Sequence, residues 1–327
     1  MAMMVVLALT AACGSGSGTG ARGQAETTTS TVATFGFFPL TGRPVTDRAK
    51  AARQAVAVKI DNSAAARPQA GLEQADVIYE EFTEGITRLV VVFHSNDAGT
   101  VGPVRSVRPG DANIVKPLGG PLVISGGSDP VLSVIRSASV RMITENDRDT
   151  LRRRSGRRAP YNLYTSTEDV FRKAGAGSPP PSFGPFLREG QPFSPAGAIP
   201  AANLTLAPAP SVRASYDWDA GDRVWKRSTD GRPHMVEGGA QVAPTNIIVQ
   251  YTPYAGFTPD RKVRSPEVVG SGDAVIFSGG SQVRARWNKA SPTAVTTYAD
   301  PAGAPIPLAP GQTWVHLQEP GSTVTVR

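Results

Sequence analysis

The sequence predicts an α+β protein, with an N-terminal α/β layered domain followed by a smaller, mainly β C-terminal domain. Strand and helix signals alternate from residue 54 to residue 137, the pattern of a layered sheet and its helices. Beyond residue 212, short apolar runs follow one another with turn residues between them. A stretch rich in Pro, Ala and Gly separates the two regions. The 327 residues suffice for two such domains.

Gln54 to Ile60 alternates into Val56, Val58 and Ile60 and reads as a strand; Val77 to Phe82 and Arg88 to Phe93 are two more. Between the first two, Arg67-Pro68-Gln69-Ala70-Gly71-Leu72 marks a turn into a short helix ending near Ala75. Pro109 and Asp111 favour a helix start, so Ala112 to Lys116 is expected as a short helix stopped by Pro117. Pro121 to Ser125 is expected as a strand, Gly126-Gly127-Ser128 as a turn, and Asp129 to Ser137 as a helix opened by Pro130. The α/β domain then covers residues 35–186, an aperiodic Pro/Ala/Gly-rich connection covers 187–211, and the β domain covers 212–327. Its expected strands are Val212 to Trp218, Arg223 to Ser228, Thr245 to Tyr251, Asp273 to Phe277, Gln282 to Trp287, Ala294 to Tyr298 and Gln312 to Leu317.

The formal charge of +7 comes from 27 Arg and only 7 Lys, beside many Ala, Gly and Pro, and this looks like codon bias rather than a functional field. The densest basic run, Arg152 to Arg158, holds no aromatic residue on which bases could stack and reads as a solvated loop, so nucleic acid is not an expected partner.

Met3 to Ala12 is a short apolar run, too short to span a bilayer and suited to a signal peptide over residues 1–12. The chain's one Cys, Cys13, follows directly and cannot form an internal disulfide. Leu9 to Cys13 resembles a bacterial lipobox, which implies cleavage before Cys13 and lipidation of its thiol, with acyl chains anchoring the protein to the membrane. No basic residue precedes the apolar run, so the reading frame is expected to open a few codons further upstream. Residues 13–34 form a Gly/Ser/Thr-rich tether spanning about 25 Å on average. The expected location is the extracytoplasmic face of the bacterial cell membrane.

The series Lys59-Ile60-Asp61-Asn62, Ala66-Arg67-Pro68-Gln69-Ala70-Gly71-Leu72, Ala75-Asp76-Val77-Ile78-Tyr79-Glu80, Glu84-Gly85-Ile86-Thr87-Arg88 and Gly102-Pro103-Val104-Arg105-Ser106 is similar to the YerB-like lipoproteins, a bacterial family defined by a domain of unknown function. Asn246-Ile247-Ile248-Val249-Gln250, Trp287-Asn288-Lys289 and Pro310-Gly311-Gln312-Thr313-Trp314-Val315 resemble that family's smaller C-terminal domain. The resemblance implies an exported two-domain lipoprotein and carries no activity with it. Pro109, directly after Arg108, departs from the family pattern, as do Met235 and Val236 between His234 and Glu237.

The candidate ligand-binding residues are Arg67, Arg88, Arg105, Ser106 and Arg108, most of them near a Pro, a Gly or a strand end, where side chains can converge on one rim of a sheet. Arg suits bidentate binding of phosphate or carboxylate. The same guanidiniums can instead pair internally with Asp61, Asp76, Glu80, Glu81 and Glu84. The expected ligand is an anionic cell-wall group or lipid headgroup, with a protein partner as the other candidate. The alternative function is a cell-envelope hydrolase using Glu84, Asp111 or His234 as general acid or base. No cofactor or metal is expected: His94, His234 and His316 are far apart in sequence, and His94 and His316 read as half-buried sheet positions. Ser125 to Ser128 reads as a plain Gly turn without the nucleophile-elbow pattern. Trp287 and Lys289 share one strand face and read as core and rim, with a sugar contact as the alternative; Trp218 and Trp225 invite the same two readings.

Overall fold

The structure, a computed structural model, describes residues 36–209, 211–257 and 263–327. The expected signal peptide, Cys13 and the tether lie outside the described residues. In chain order the first elements are α1 (Arg48–Ala52), β1 (Val56–Asp61), β2 (Val77–Thr83), β3 (Ile86–Phe93), α2 (Asp111–Val115), β4 (Leu122–Val123), α3 (Asp129–Ser137) and β5 (Met142–Ile143). A short ribbon, β6 (Arg152–Arg153) with β7 (Leu163–Tyr164), leads to α4 (Thr167–Ala174). The remaining strands are β8 (Ile199–Pro200), β9 (Asn203–Ala209), β10 (Val212–Asp219), β11 (Val224–Thr229), β12 (Arg232–Pro233), β13 (Asn246–Tyr251), β14 (Tyr254–Gly256), β15 (Arg264–Pro266), β16 (Gly270–Ser278), β17 (Ser281–Lys289), β18 (Thr297–Ala299), β19 (Thr313–Gln318) and β20 (Val324–Val326). The fold class is α+β. Among the described residues no helix is long and apolar enough to cross a membrane.

Eleven strands form one mixed sheet in the order β18-β17-β16-β13-β19-β2-β3-β1-β4-β5, with β8 pairing to β17. The join falls at β19, which runs parallel to β2 on one side and to β13 on the other, with Val315 opposite both Tyr79 and Ile248. A second, five-stranded sheet has the order β12-β11-β10-β9-β20.

Central strands of the main sheet are covered on both faces, which is why β1 reads Val-Ala-Val-Lys-Ile-Asp with every residue buried. Ala57, Val77, Val90 and Val92 pack on one face with Ile114, Val115, Val131 and Ile135 of α2 and α3. Val58, Ile60, Ile78, Leu89 and Val91 pack on the other with Val170 of α4. The five-stranded sheet closes its own core, Leu204, Tyr216 and Trp225 packing on Ile247, Val249 and Phe277 of the main sheet.

Three expectations need correction. Asn203–Ala209, within the stretch expected to be an aperiodic connection, is a seven-residue strand with Leu204 and Leu206 buried. Pro208 and the surrounding Ala residues hide its two-residue alternation. His94 and His316, expected half-buried, are both fully enclosed at 0 % exposure: His316 lies inside β19, covered on both faces, and His94 directly after the end of β3. Trp287 and Lys289 are likewise buried, at 1 % and 2 % exposure, which removes them as a sugar-contact surface. Lys289 Nζ donates to the Ala294 carbonyl of the turn above it.

Candidate functional site

Strands β1, β2, β4, β5, β13 and β19 run in one direction, so their carboxyl ends share one rim, where the oppositely directed β3 begins. In sheets with parallel strands this rim is where loops converge on ligands. Here it carries charge. Arg88 of β3 stands opposite Asp61 of β1 and opposite Glu81 of β2, a cross-strand row on the face shared with Lys59. The segment after Pro103 lies across the ends of β1 and β4: Val104 bridges Ile60, Arg105 N donates to Lys59 O at 2.9 Å, and Ser125 N donates to Arg105 O at 3.0 Å. That path delivers Arg105, Ser106 and Arg108 to the row. It ends at Asp111, whose Oδ2 accepts from Arg108 N at 2.7 Å as α2 begins.

Arg105 Nε lies 2.5 Å from Asp61 Oδ2, and its guanidinium sits 5.5 Å from the Tyr161 ring centre. Arg108 donates to Thr83 Oγ1 at 3.1 Å, to the Val107 carbonyl at 2.9 Å and to Glu84 Oε2 at 2.7 Å. Arg88 donates to the Ser106 carbonyl at 3.2 Å, and its NH2 stands 3.6 Å from the same Glu84 oxygen. Arg88 Nε is buried with no hydrogen-bond partner. Ser106 and Ser125 place their hydroxyls 3.4 Å apart. Burial, and then the neighbouring Arg108 and Arg105 charges, draw Arg88 down to about 10.

Beneath this rim Lys59 bridges two carboxylates, donating to Glu81 and to Asp111 Oδ1, the latter at 2.7 Å, with all three side chains at or below 1 % exposure. Burial first, and then Asp111, push Glu81 up to about 7 against the opposing pull of Lys59. Lys59 spends two of its three donors on these carboxylates and is fully enclosed, which keeps it from a ligand. Of the guanidiniums above it Arg105 is half-buried, and Arg88 and Arg108 are buried beside the exposed Glu84.

Arg67 does not join them. Its NH2 donates to Asp230 at 3.1 Å, and it lines a separate open groove of about 560 Å³ with Pro68, Arg232, Pro233 and Met235. Four of the five candidate residues thus share one site. Of the candidate acids and bases, Glu84 and Asp111 both contact Arg108, whereas His234 is bonded to Gln69 and Thr229 below the Arg67 groove. Among the described residues no group of three His, Cys, Asp or Glu is arranged to hold a metal.

Lys59 was not singled out as a site residue, although a Lys inside an apolar strand run is a legible signal, since strands buried on both faces tolerate charge only when it is paired. A second buried network escaped entirely. Glu80 accepts from Arg227 at 2.8 and 3.2 Å, from Trp314 Nε1 at 2.9 Å, from Thr87 at 2.8 Å and from Asn62 at 3.0 Å. Arg227 also donates to Tyr216 and is stacked 4.5 Å from the Trp314 ring. No local sequence signal joins Glu80 to a partner 147 residues away. This network has no solvent-exposed member at its centre, and it holds the five-stranded sheet to the main sheet.

The architecture defines a class: a mixed eleven-stranded sheet with a smaller β layer packed on it and an arginine cluster at one rim. The pattern of the family described as "Protein of unknown function (DUF3048)" matches residues 40–178 with its N-terminal domain and residues 204–315 with its C-terminal domain. The chain belongs to this family. It is 27 % identical over 287 residues to YerB of Bacillus subtilis (strain 168), a lipoprotein by its name, with 85 % of each chain covered. The crystal structure of YerB from Bacillus subtilis superposes with a TM-score of 0.76 at 24 % identity, covering 88 % of this chain and 99 % of that one. That superposition confirms the fold.

Proposed function

We propose that this protein is a lipid-anchored protein of the extracytoplasmic membrane face that binds an anionic ligand through Arg88, Arg105, Ser106 and Arg108. The anchor in this reading is Cys13. The lipobox resemblance and the name of the Bacillus subtilis relative support this half of the reading. The observation that carries the binding half is the crowding of three guanidiniums at the strand rim, where Arg88 is drawn down to about 10 and keeps a buried donor without an acceptor. Like charges held together in a partly desolvated place are relieved by an anion, and guanidiniums present paired donors to one. No bond-making step is part of this function.

The test is thermal melting of the full chain in the presence of inorganic phosphate, glycerol phosphate, wall fragments or anionic lipid vesicles. A ligand of the native state raises the melting temperature by linkage. Arg105→Lys keeps the charge that faces Asp61 and loses the planar fork. The expected result is a ligand-dependent rise that shrinks in Arg105→Lys, whose unliganded melting temperature stays close to that of the parent. A rise of equal size in both proteins would refute the site.

A further inference from the structure

Glu84 occupies the slot between Arg88 and Arg108, and nothing in its local backbone asks for a Glu there. β2 and β3 are joined by a two-residue turn, Thr83 pairing with Ile86. Both turn residues have positive φ, 50° at Glu84 and 85° at Gly85. A tight turn of this form favours Asn-Gly, Asp-Gly or Gly-Gly, because the left-handed region is unfavourable for a residue with a long side chain. The side chain, and not the turn, is therefore what Glu84 contributes. It reaches both guanidiniums with a single oxygen, 2.7 Å from Arg108 NH2 and 3.6 Å from Arg88 NH2, while the side chain remains 38 % exposed. Asp61, the other carboxylate against the three arginines, is fixed: it is 1 % exposed, holds Arg105 and accepts from Ser63 N at 2.6 Å.

We infer that Glu84 is an internal stand-in for the ligand, and that the ligand displacing it is a phosphate monoester dianion. This rests on the anion-binding reading above and names the ligand class of that site. Three guanidiniums face Asp61 and Glu84, and beneath them Lys59 is set against Glu81 and Asp111; of these carboxylates Glu84 is the exposed one. When Glu84 swings out on its turn, Arg88 and Arg108 lose the exposed carboxylate they share, and the donors it held are freed together. A carboxylate or a phosphodiester brings one negative charge and only restores what Glu84 already provided. A phosphate monoester brings up to two charges and three oxygens, enough to engage Arg88 and Arg108 together. Ser106, whose carbonyl accepts from Arg88, holds its hydroxyl 3.4 Å from that of Ser125. Glu84 thus sets a threshold: weak monoanions fail to displace it and dianions succeed.

Phosphate monoesters on a soluble glycan and on a lipid headgroup share this chemistry. Calorimetric titration of the full chain therefore compares glycerol 3-phosphate with dimethyl phosphate and acetate, and vesicles holding phosphatidic acid with vesicles holding phosphatidylglycerol. The parent protein is expected to bind the monoester, in either form, about tenfold tighter than its monoanionic counterpart, a difference of roughly 1.4 kcal/mol. Glu84→Asn suits the turn and removes the internal anion, so it should melt no lower than the parent and bind the monoanions about five- to tenfold tighter, the size of one ordinary hydrogen bond. Glu84→Gln should show the same gain. Unchanged or weaker anion binding in both variants, with binding still lost in Arg88→Lys, would overturn the role of Glu84 and leave the arginine site standing. Absence of binding by the parent and by both Glu84 variants would overturn the arginine site itself, and this inference with it.

Discussion

Mild acid should destabilise this protein strongly, and its three histidines are the reason. His94, His234 and His316 are enclosed at 0, 2 and 0 % exposure. Burial draws His94 down to about 4 and His316 to about 3, and it takes His234 well below the ordinary value. Local geometry agrees. His94 uses Nε2 to donate to the Arg53 carbonyl at 3.0 Å, and its Nδ1 is buried with no acceptor for a second proton. His234 faces Gln69 Oε1 through Nε2 at 2.9 Å, while Arg227 Nε donates to Nδ1 at 3.2 Å, so another ring proton would meet a cation's N–H. His316 lies 2.8 Å from the Tyr216 hydroxyl in the same enclosed network.

The unfolded chain therefore takes up three protons near pH 6.5 that the native chain refuses, and stability falls as the pH falls, by about 1.4 kcal/mol per proton per pH unit. At about pH 5 the loss is about 2 kcal/mol for each of His94 and His316, and His234 adds to it in the same direction. Glu81 acts in the opposite sense. Its folded value of about 7 lies above the ordinary 4.5, so the native chain binds that proton first and gains about 2 kcal/mol between pH 7 and pH 5. Asp76, also raised by burial, adds in the same direction. The three histidines are expected to outweigh the two acids, so that stability falls between pH 7 and pH 5 against a total of about 5–15 kcal/mol. Urea unfolding at a series of pH values between about 7.5 and 5 measures this directly. His94→Gln and His316→Gln, singly, should each make the fall with pH shallower by about one proton's worth. Stability that stays level or rises from pH 7 to pH 5 would refute the reasoning.

The Glu80 network yields a second prediction. Burial pushes Glu80 up, but Arg227 and then His316 bring it down to about 2; because His316 is neutral near pH 7, Arg227 is the partner that counts there. Glu80→Gln leaves a fully enclosed guanidinium without its carboxylate and should cost about 3–5 kcal/mol in urea unfolding, whereas Glu80→Gln with Arg227→Met should recover part of that loss. A single-variant loss below about 1 kcal/mol would show the pair to be dispensable. A depressed carboxylate contributes stability above its unfolded value and loses it as the pH falls from 4.5 towards 2, so the Glu80 contribution persists through the range where the histidines act. At the other end of the chain, Cys13→Ser should move the protein from the membrane fraction to the soluble fraction of fractionated cells, and mass spectrometry of the parent should find acyl chains on Cys13.

The elements with strong local signals were legible in the sequence. Asp129–Ser137 has Pro130 at its start and an apolar stripe through Val131 and Ile135, and it forms where expected. Asn246–Tyr251 and Thr313–Gln318 were legible as apolar runs, but not as neighbours, because strand order is a long-range property that periodicity does not encode. Asn203–Ala209 was lost because Pro208 and two Ala residues mask a strand whose Leu204 and Leu206 are buried. In the site, Arg88, Arg105 and Arg108 could be marshalled from their places at strand ends and beside prolines. Arg67 could not be separated from them, since the Arg67-Pro68 turn looks alike in sequence whether it faces Asp61 or Asp230. Lys59 and Glu80 were hidden by distance along the chain: each is explained by a partner at least 22 residues away.

The most direct test of the arginine site is crystallography of the full chain soaked with glycerol 3-phosphate. The account predicts a phosphoryl group within hydrogen-bond reach of Arg88 and Arg108, with the Glu84 side chain turned out to solvent. A saturating soak that leaves Glu84 between Arg88 and Arg108, and no density beside them, would contradict it.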